Sequence, residues 1–260
     1  MNTTFEVDVL ASGSKGNATL VRVGDTAILI DAGISNRRLE KGLAACGLEP
    51  EQLNGIFLTH EHSDHITGLK QFAKCHSTVP IFANEKTWAC IPCRRDIARN
   101  QVRVIPRGCT MGVLRVEPFK VSHDAADPVG YQLYYGDEKF TYLTDCGEIN
   151  NTVERAADGA QVLVLEANHD ESMLLHGPYP QALKQRIAGR WGHLSNRLAG
   201  QLLTDLVNPP QEVFLAHLSE KNNTPEVALE TVSEQLEQEA RTKGIRLLVA
   251  RQKEIVSNIR

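Results

Sequence analysis

Residues 59–65 have the sequence Thr-His-Glu-His-Ser-Asp-His, which places three imidazoles and a carboxylate within a few consecutive positions. The stretch follows a short apolar run that predicts a strand and precedes apolar residues at helical spacing. Side chains two positions apart on extended backbone face the same way, so His60 and His62 can enter one cavity. Asp64 and His65, on the first turn of the helix, can serve a neighbouring position. Nitrogen and oxygen ligands without a thiolate suit Zn²⁺ or a similar divalent ion at a site open to water.

Three further candidate ligands follow predicted strands downstream: His123, Asp145 and His217. Seven ligands are too many for one tetrahedral ion and suit two ions that share a carboxylate. Two such ions can hold a hydroxide between them and contact both the attacking and the leaving oxygen. The alternatives are a His-rich surface loop at 59–65 and ordinary turn residues at the strand ends. The combination of the downstream residues with the first motif favours the metal site.

The remaining pattern predicts an α+β fold. Strands are expected at 6–11, 18–23, 26–31, 161–165 and 212–216, with a hairpin turn near Gly136, and helices at 35–46, 66–74, 149–157, 180–189, 195–206 and 225–238. A strand-rich half with helices followed by a second half of the same kind indicates two mixed sheets packed face to face with helices outside, a four-layer αββα sandwich. We expect one domain over residues 1–260.

Composition sets the broad class of the protein. The chain has 260 residues, 42% of them hydrophobic, which suffices for a large core and excludes intrinsic disorder. It shows neither a leader-like start nor an apolar run of membrane-spanning length, so we expect a soluble, cytoplasmic protein without membrane association, whose six cysteines are thiols. The formal charge of −4 gives no global attraction to nucleic acid. Oligomeric state stays open.

The His-x-His-x-Asp-His pattern, the isolated His123, Asp145 between Thr and Cys-Gly, and the late His217 resemble the metallo-β-lactamase fold superfamily over essentially the whole chain. The resemblance implies one metal held by His60, His62 and His123, a second held by Asp64, His65 and His217, and Asp145 as the bridge. Asp31 corresponds by resemblance to an aspartate that supports the ligand loop; the alternative is an ordinary turn residue after a strand.

Within this superfamily the sequence favours the phosphodiesterase branches. True β-lactamases usually bridge the metals with cysteine, whereas the residue here is Asp145, and hard ligands suit phosphate oxygens. Cys146 beside it should point the opposite way on extended backbone. The blocks at 11–17, 166–170, 179–187, 192–196 and 217–223 are similar to those of the WalJ/YycJ group. That group is similar to the tRNA 3′-processing endonucleases and is associated with 5′-to-3′ exonuclease activity on double-stranded DNA.

His193 is the predicted second catalytic residue besides Asp64. It corresponds by resemblance to a histidine near the scissile phosphate, where it would stabilise charge or protonate the leaving oxygen; the alternative is a packing role beside the helix cap Ser195. His169 is either a supporting residue of the metal cavity or structural. Predicted substrate-binding residues are Ser195, Asn196, Arg186 and Arg190.

Two segments are locally basic. Residues 84–107 carry six basic side chains against two acidic ones, and residues 181–203 carry four basic side chains and no acid. Phosphate contacts supply most non-specific affinity for nucleic acid, so the segments predict a backbone-binding track beside the metals. The alternative is a pair of solvated helix faces.

The sequence thus predicts a phosphodiesterase with two divalent ions, Zn²⁺ or Mn²⁺, and DNA as substrate, with RNA as an alternative. A hydroxide between the metals would attack, and Asp64 would bind one ion and accept the water proton. Rival hypotheses are a hydrolase of a small phosphodiester or thioester, and a metal-binding regulatory module with little catalysis. A structural zinc at Cys90 and Cys93 with Cys75 and Cys109 is a weaker possibility, because a lone Cys-x-x-Cys lacks its second pair.

Overall fold

The computed structural model describes residues 4–105 and 107–259, and two seven-stranded sheets organise them. The first sheet contains β1 (Glu6–Ala11), β2 (Ala18–Val23), β3 (Thr26–Ile30), β4 (Gly55–Phe57), β5 (Ile81–Ala83), β6 (Val102–Val104) and, from the end of the chain, β14 (Val256–Ser257). The second contains β7 (Cys109–Met111), β8 (Leu114–Lys120), β9 (Val129–Tyr135), β10 (Glu138–Leu143), β11 (Val162–Glu166), β12 (Glu212–Ala216) and β13 (Arg246–Val249).

The helices are α1 (Asn36–Ala45), α2 (Ser63–Ile66), α3 (Leu69–Cys75), α4 (Glu85–Cys90), α5 (Asn151–Ala157), α6 (Glu171–His176), α7 (Gln181–Ile187), α8 (Asn196–Asp205) and α9 (Pro225–Gln238). Short 3-10 turns lie at Pro50–Gln52, Arg94–Asp96 and Ala240–Thr242. Among the residues that the structure describes, no helix is both long and apolar enough to cross a lipid bilayer.

Each sheet is half antiparallel and half parallel. In the first sheet the order is β14-β1-β2-β3-β4-β5-β6, with parallel pairing from β3 onward. In the second sheet the order is β13-β12-β11-β10-β9-β8-β7, with parallel pairing from β13 to β10. The carboxyl ends of β3, β4, β10, β11 and β12 carry the candidate site, as is usual for ligand sites on parallel strands.

Strand alternation sorts the apolar side chains into three cores. Ile28 and Ile30 of β3 join side chains of β10 and β11 in a core between the two sheets, whereas Ala27 and Leu29 face α1 and α3. In the same way, Leu163 and the other alternate side chains of β11 face α5, α8 and α9. Three cores between four layers confirm the predicted αββα sandwich.

The helix predicted over 66–74 is interrupted. The segment forms α2 and α3, with Thr67 and Gly68 between them. Gly68 packs against the loop after β3, where a Cβ atom would lie 2.1 Å from the backbone oxygen of Ile34. This close approach requires glycine, and the Gly68 N–H donates to the Ala32 oxygen instead of to an oxygen of α2, which apolar spacing alone could not show.

Candidate metal centre

Four polar residues lie at or just beyond the ends of neighbouring strands: Asp31 after β3, Asp145 after β10, Glu166 in the last position of β11 and His217 after β12. Asp31, Asp145 and His217 have positive φ angles of 62°, 54° and 55°. A non-glycine residue in this region carries strain of about 1 kcal/mol or more, and such strain concentrates at functional sites. The backbone at these strand ends therefore adopts a strained conformation that places the three side chains.

The structure brings all seven predicted ligands together. Donor atoms of His60, His62 and His123 lie within 4.8 Å of one another, and so do those of Asp64, His65 and His217. Asp145 forms a further group with His60 and His65, and another with Glu166, His193 and His217. Asp145 thus lies in contact distance of both histidine groups.

The chemistry of these donors fits a divalent cation. Nε2 of His60 and Oδ2 of Asp145 are buried and make no hydrogen bond. Four carboxylates, those of Asp31, Asp64, Asp145 and Glu166, have histidines as their only ion-pair partners among the described residues. Buried acids whose only ion-pair partners are imidazoles, and buried atoms without a hydrogen bond, are costly, and a bound cation would lower both costs. No cysteine belongs to any described group close enough to hold a metal, so a zinc at Cys90 and Cys93 has no support.

Asp31 orients the histidines from behind. Its Oδ2 accepts a hydrogen bond from Nδ1 of His65 at 2.7 Å, and its Oδ1 accepts one from the Thr59 backbone N–H at 2.9 Å. The Thr59 hydroxyl in turn lies 3.0 Å from Nδ1 of His60. Because Nδ1 of both histidines is engaged, Nε2 is left to face the centre of the cluster. Carboxylate–histidine pairs of this kind fix the ring orientation of metal ligands.

Glu166 performs the same task for the second sheet, and the sequence analysis did not single it out as a site residue. Its Oε1 lies 2.9 Å from Nδ1 of His217 and 2.8 Å from Nδ1 of His193. Its Oε2 accepts from the backbone N–H groups of Cys146 and Leu194. An acid at the end of an apolar parallel strand, beside strands followed by Asp145 and His217, was a signal that could have identified it.

Asn17 is a second residue that was missed. It is fully buried, its Oδ1 accepts from the Gly13 backbone N–H, and its Nδ2 lies 3.4 Å from Oδ2 of Asp64 and 3.3 Å from Nε2 of His65. Its amide donor is therefore directed at the ligand pair. It lies within the block 11–17 that supported the resemblance, but a lone Asn after two glycines has no chemical signature of its own.

The electrostatics divide the histidines into two kinds. Burial lowers the pKa of His60 well below its ordinary value and also lowers that of His123, so both are neutral and keep a lone pair for a ligand bond. Burial opposes protonation of His65 and His217 as well, but the surrounding carboxylates raise their pKa well above normal. The same imidazolium charges hold the pKa of Asp64 and Asp145 well below the usual range, against their burial.

His193 lies beside the ligands and is partly open to solvent. Burial opposes its protonation, but the Glu166 carboxylate raises its pKa above normal. His169, by contrast, belongs to none of the described residue groups that could hold a metal; its backbone oxygen accepts from the Asn196 N–H, and its buried Nδ1 makes no hydrogen bond. The structure therefore places His193, and not His169, next to the predicted ligands.

Two of the predicted substrate-binding residues are buried away from the cleft. The Ser195 hydroxyl accepts from the Leu198 N–H as the cap of α8 and donates to Glu171. The Asn196 amide pairs with the amide of Asn223. The polar atoms of both buried side chains are hydrogen-bonded to other residues of the protein. This fits a structural role better than contact with a ligand.

A cleft opens over the cluster. It is lined by five of the predicted metal ligands (His62, Asp64, His123, Asp145 and His217), by His193, and by side chains of a segment over the site that includes Leu183, Arg186, Ile187 and Trp191. Arg186 is exposed and pairs with Asp124, and exposed Arg190 pairs with Glu148 at 2.9 Å. No described residue of the basic segment, 84–105 and 107, lines this cleft, whereas the segment 181–203 contributes Arg186 to it.

A four-layer sandwich with a His/Asp cluster at its strand ends defines a metallo-β-lactamase-fold protein, and the chain belongs to the β-lactamase superfamily, whose domain matches residues 26–218. The exodeoxyribonuclease WalJ of Streptococcus pneumoniae is 36% identical over 240 residues, covering 90% of this chain and 89% of that protein. The exodeoxyribonuclease YycJ of Bacillus anthracis is 38% identical over 234 residues, covering 88% of each. The predicted resemblance to the WalJ/YycJ group is thereby confirmed.

The solved structures agree with the fold. The metallo-β-lactamase fold protein YhfI from Bacillus subtilis superimposes with a TM-score of 0.69 at 16% identity, covering 98% of this chain and 99% of that one. At this identity the likeness extends to the fold alone.

Proposed function

We propose that this protein is a metal-dependent exonuclease that cleaves phosphodiester bonds in DNA. The observation that carries the proposal is the seven-residue His/Asp cluster below an open cleft, in which the buried His60 Nε2 and Asp145 Oδ2 atoms make no hydrogen bond. The two exodeoxyribonucleases similar over most of the chain support DNA as the substrate. The cleft walls support a phosphodiester, because Arg186 and His193 line the same space as the ligands.

We assign two divalent ions, Zn²⁺ or Mn²⁺, to the cluster. One would be held by His60, His62 and His123 and the other by Asp64, His65 and His217, which are the two groups whose donor atoms converge. Asp145, near both groups, would be shared. Divalent ions in such a site supply Lewis acidity toward a phosphate and activate water at neutral pH.

Asp64 is positioned to handle the proton of the attacking water. Its Oδ2 lies 3.4 Å from Nε2 of both His65 and His217, and its side chain is partly exposed in the cleft. The depressed pKa of this carboxyl keeps it ionised, so that it can accept a hydrogen bond from water. Asn17 Nδ2, 3.4 Å away, holds the carboxylate in place.

His193 serves the leaving oxygen. Its Nδ1 is held by Glu166, which leaves Nε2 as the free nitrogen of a ring that lines the cleft. Because the Glu166 carboxylate raises its pKa, the imidazolium is available to stabilise phosphate charge and to donate a proton. The first function is electrostatic stabilisation, and the second is that of a general acid in phosphodiester hydrolysis.

The decisive experiment is a degradation assay with end-labelled substrates. Purified protein is incubated with double-stranded DNA, single-stranded DNA, RNA and a small phosphodiester, with Zn²⁺ or Mn²⁺ added. We expect mononucleotides to be released from DNA, and separate 5′ and 3′ labels to report the 5′-to-3′ polarity implied by the resemblance. Asp64→Asn should abolish release, whereas Asp25→Asn, an exposed site in the turn after β2, should not. Degradation of none of the polymers would overturn the proposal.

A further inference from the structure

The wall of the cleft opposite the strand ends is unusually apolar for a surface segment. Helix α7 buries none of its residues, and Leu183 is 36% exposed and Trp191, just beyond the helix, is 54% exposed. A helix this short that buries no face gains little from packing. Leu183, Ile187 and Trp191 nevertheless line the same space as the metal-binding histidines. We call these three side chains the apolar wall. They expose apolar surface beside a site whose other side chains are polar.

The backbone around Trp191 is fixed against the metal centre. The Gly192 N–H donates to the Gly189 oxygen and the His193 N–H to the Ile187 oxygen, at 2.8 and 2.9 Å. The Gly192 oxygen lies 3.1 Å from Nδ1 of His123. On the other side, Gly147 lies so close that a Cβ atom there would be 2.2 Å from the Arg190 oxygen. The backbone that carries the indole is therefore held at a set position relative to His123 and Gly147, while the indole itself is open to solvent.

Two arginines lie next to the apolar wall. The Arg190 guanidinium lies 5.3 Å from the centre of the Trp191 ring, and Arg186 lines the cleft from the same segment. Both arginine side chains are exposed while their partners Glu148 and Asp124 are partly buried, and ion pairs that solvent reaches from one side are weak enough for a phosphate to compete with. An aromatic ring with one arginine against it and a second arginine in the same cleft is an arrangement that can stack a base while holding its backbone.

We infer that Trp191 stacks on the nucleobase of the terminal nucleotide of the DNA strand whose phosphodiester lies at the metal centre, with Leu183 and Ile187 against its edge. The inference rests on the proposed function and adds a positioning residue to it. Every base presents a flat face, so this contact holds the strand end without reading its sequence. Tryptophan would thus fix the distance between strand end and reacting phosphate.

The first test compares duplexes that end in a normal nucleotide or in an abasic one. The wild-type protein should cleave the abasic end with a kcat/KM about tenfold lower, the loss expected for one aromatic–base stack. Trp191→Ala should cleave the normal end about tenfold more slowly and should no longer distinguish the two ends. Trp191→Phe should retain the discrimination. Val207→Ala, at a 71% exposed apolar side chain outside the cleft, should behave as the wild type.

The second test measures binding by fluorescence. The chain has two tryptophans, and Trp88 is buried, so quenching by a ligand in the cleft reports Trp191. Deoxyadenosine 5′-monophosphate should quench the metal-loaded protein, deoxyribose 5-phosphate should not, and Trp191→Phe should lose the signal. Equal rates on both ends in the wild type, or equal quenching by both ligands, would overturn the stacking while leaving the exonuclease intact. Failure to degrade either duplex would instead remove the proposed function, and quenching would still report the stack.

Discussion

Oδ2 of Asp31 lies 2.7 Å from Nδ1 of His65, and both side chains are fully buried. The pair joins the end of β3 to the first turn of α2, and through Thr59 it also reaches His60. A residue that touches no substrate thus sets the direction of two proposed ligands on different parts of the chain.

Asp31→Asn should weaken metal binding. Asparagine tolerates the positive φ angle of 62° at this position, so the substitution removes the charge with little backbone cost. We expect zinc affinity to fall about 10- to 100-fold, the usual loss when the carboxylate partner of a ligating histidine is removed. Competition with a chromophoric chelator measures it. The matched control is Asp25→Asn, and unchanged affinity in Asp31→Asn would contradict the orienting role.

Glu166→Gln should impair both histidines of the second sheet. The carboxylate accepts from two imidazoles on one oxygen and two backbone N–H groups on the other. An amide has only one acceptor oxygen, so one pair of donors would face an NH₂ group. We expect metal affinity and kcat each to fall at least tenfold. The exposed Glu230→Gln on α9 is the control for the substitution itself; a Glu166→Gln protein with wild-type kcat would show that this carboxylate is dispensable.

The sequence predicted the ligands better than their supports. His60, His62 and Asp64 lie within one stretch that joins a strand to a helix. His123, Asp145 and His217 each follow an apolar strand, and strands that run in the same direction bring the residues after them to one edge of the sheet. Glu166 occupies the same kind of position but was not recognised, since a single acid after a strand is chemically unremarkable. Its role depends on the order of β10, β11 and β12 in the sheet.

Dependence on contacts between distant segments also explains where the structure differs from the predicted elements. The elements with clear periodicity were predicted closely, and α9 spans the predicted 225–238. The break at Gly68 and the burial of Asn196 depend on what the rest of the chain packs against them. Such contacts between distant segments are not encoded in local spacing, so a pattern along the chain could not reveal them.

Metal loading should stabilise the fold measurably. The candidate ligands include the carboxylates of Asp64 and Asp145, and Nε2 of His60 and Oδ2 of Asp145 are buried without a hydrogen bond, so a cation would stabilise these groups. A ligand at about 100 times its dissociation constant contributes about 2.7 kcal/mol, which corresponds to roughly 5–10 °C in Tm for a domain of this size. Thermal unfolding after chelation, and again after Zn²⁺ or Mn²⁺ is restored, measures the change. A Tm that is identical in the two states would contradict a metal centre at this site.

Neutralising Arg186, which lines the cleft, together with Arg190 from the same segment should change the salt dependence of DNA binding. Arg186→Gln with Arg190→Gln removes two charges beside the metals, and each phosphate contact contributes about 0.9 to the slope of log K against log salt. We expect the slope to decrease by about one to two units, measured by fluorescence anisotropy on duplex DNA. Stability should hardly change, because exposed ion pairs contribute little.

The matched control for this experiment lies in the other basic segment. Arg94 and Arg95 lie away from the cleft, so their replacement by glutamine removes the same charge without touching the site. If the two double variants lower the slope equally, the DNA backbone contacts both basic segments, and Arg186 and Arg190 contribute no more to binding than Arg94 and Arg95. A slope lowered only by Arg186 and Arg190 places the DNA backbone along the wall of the cleft.

Ser195→Ala separates capping from substrate binding. The buried hydroxyl accepts from the Leu198 N–H at the start of α8 and donates to the carboxylate of Glu171. Loss of a serine cap costs about 1 kcal/mol, or roughly 2–4 °C in Tm for a chain of this size. Because Ser195 does not line the cleft, KM for DNA should stay within twofold of the wild type. Ser195→Thr, which retains a capping oxygen, should recover most of the lost Tm. A raised KM at unchanged Tm would instead return this residue to the substrate-binding set, so the pair of measurements decides between the two roles.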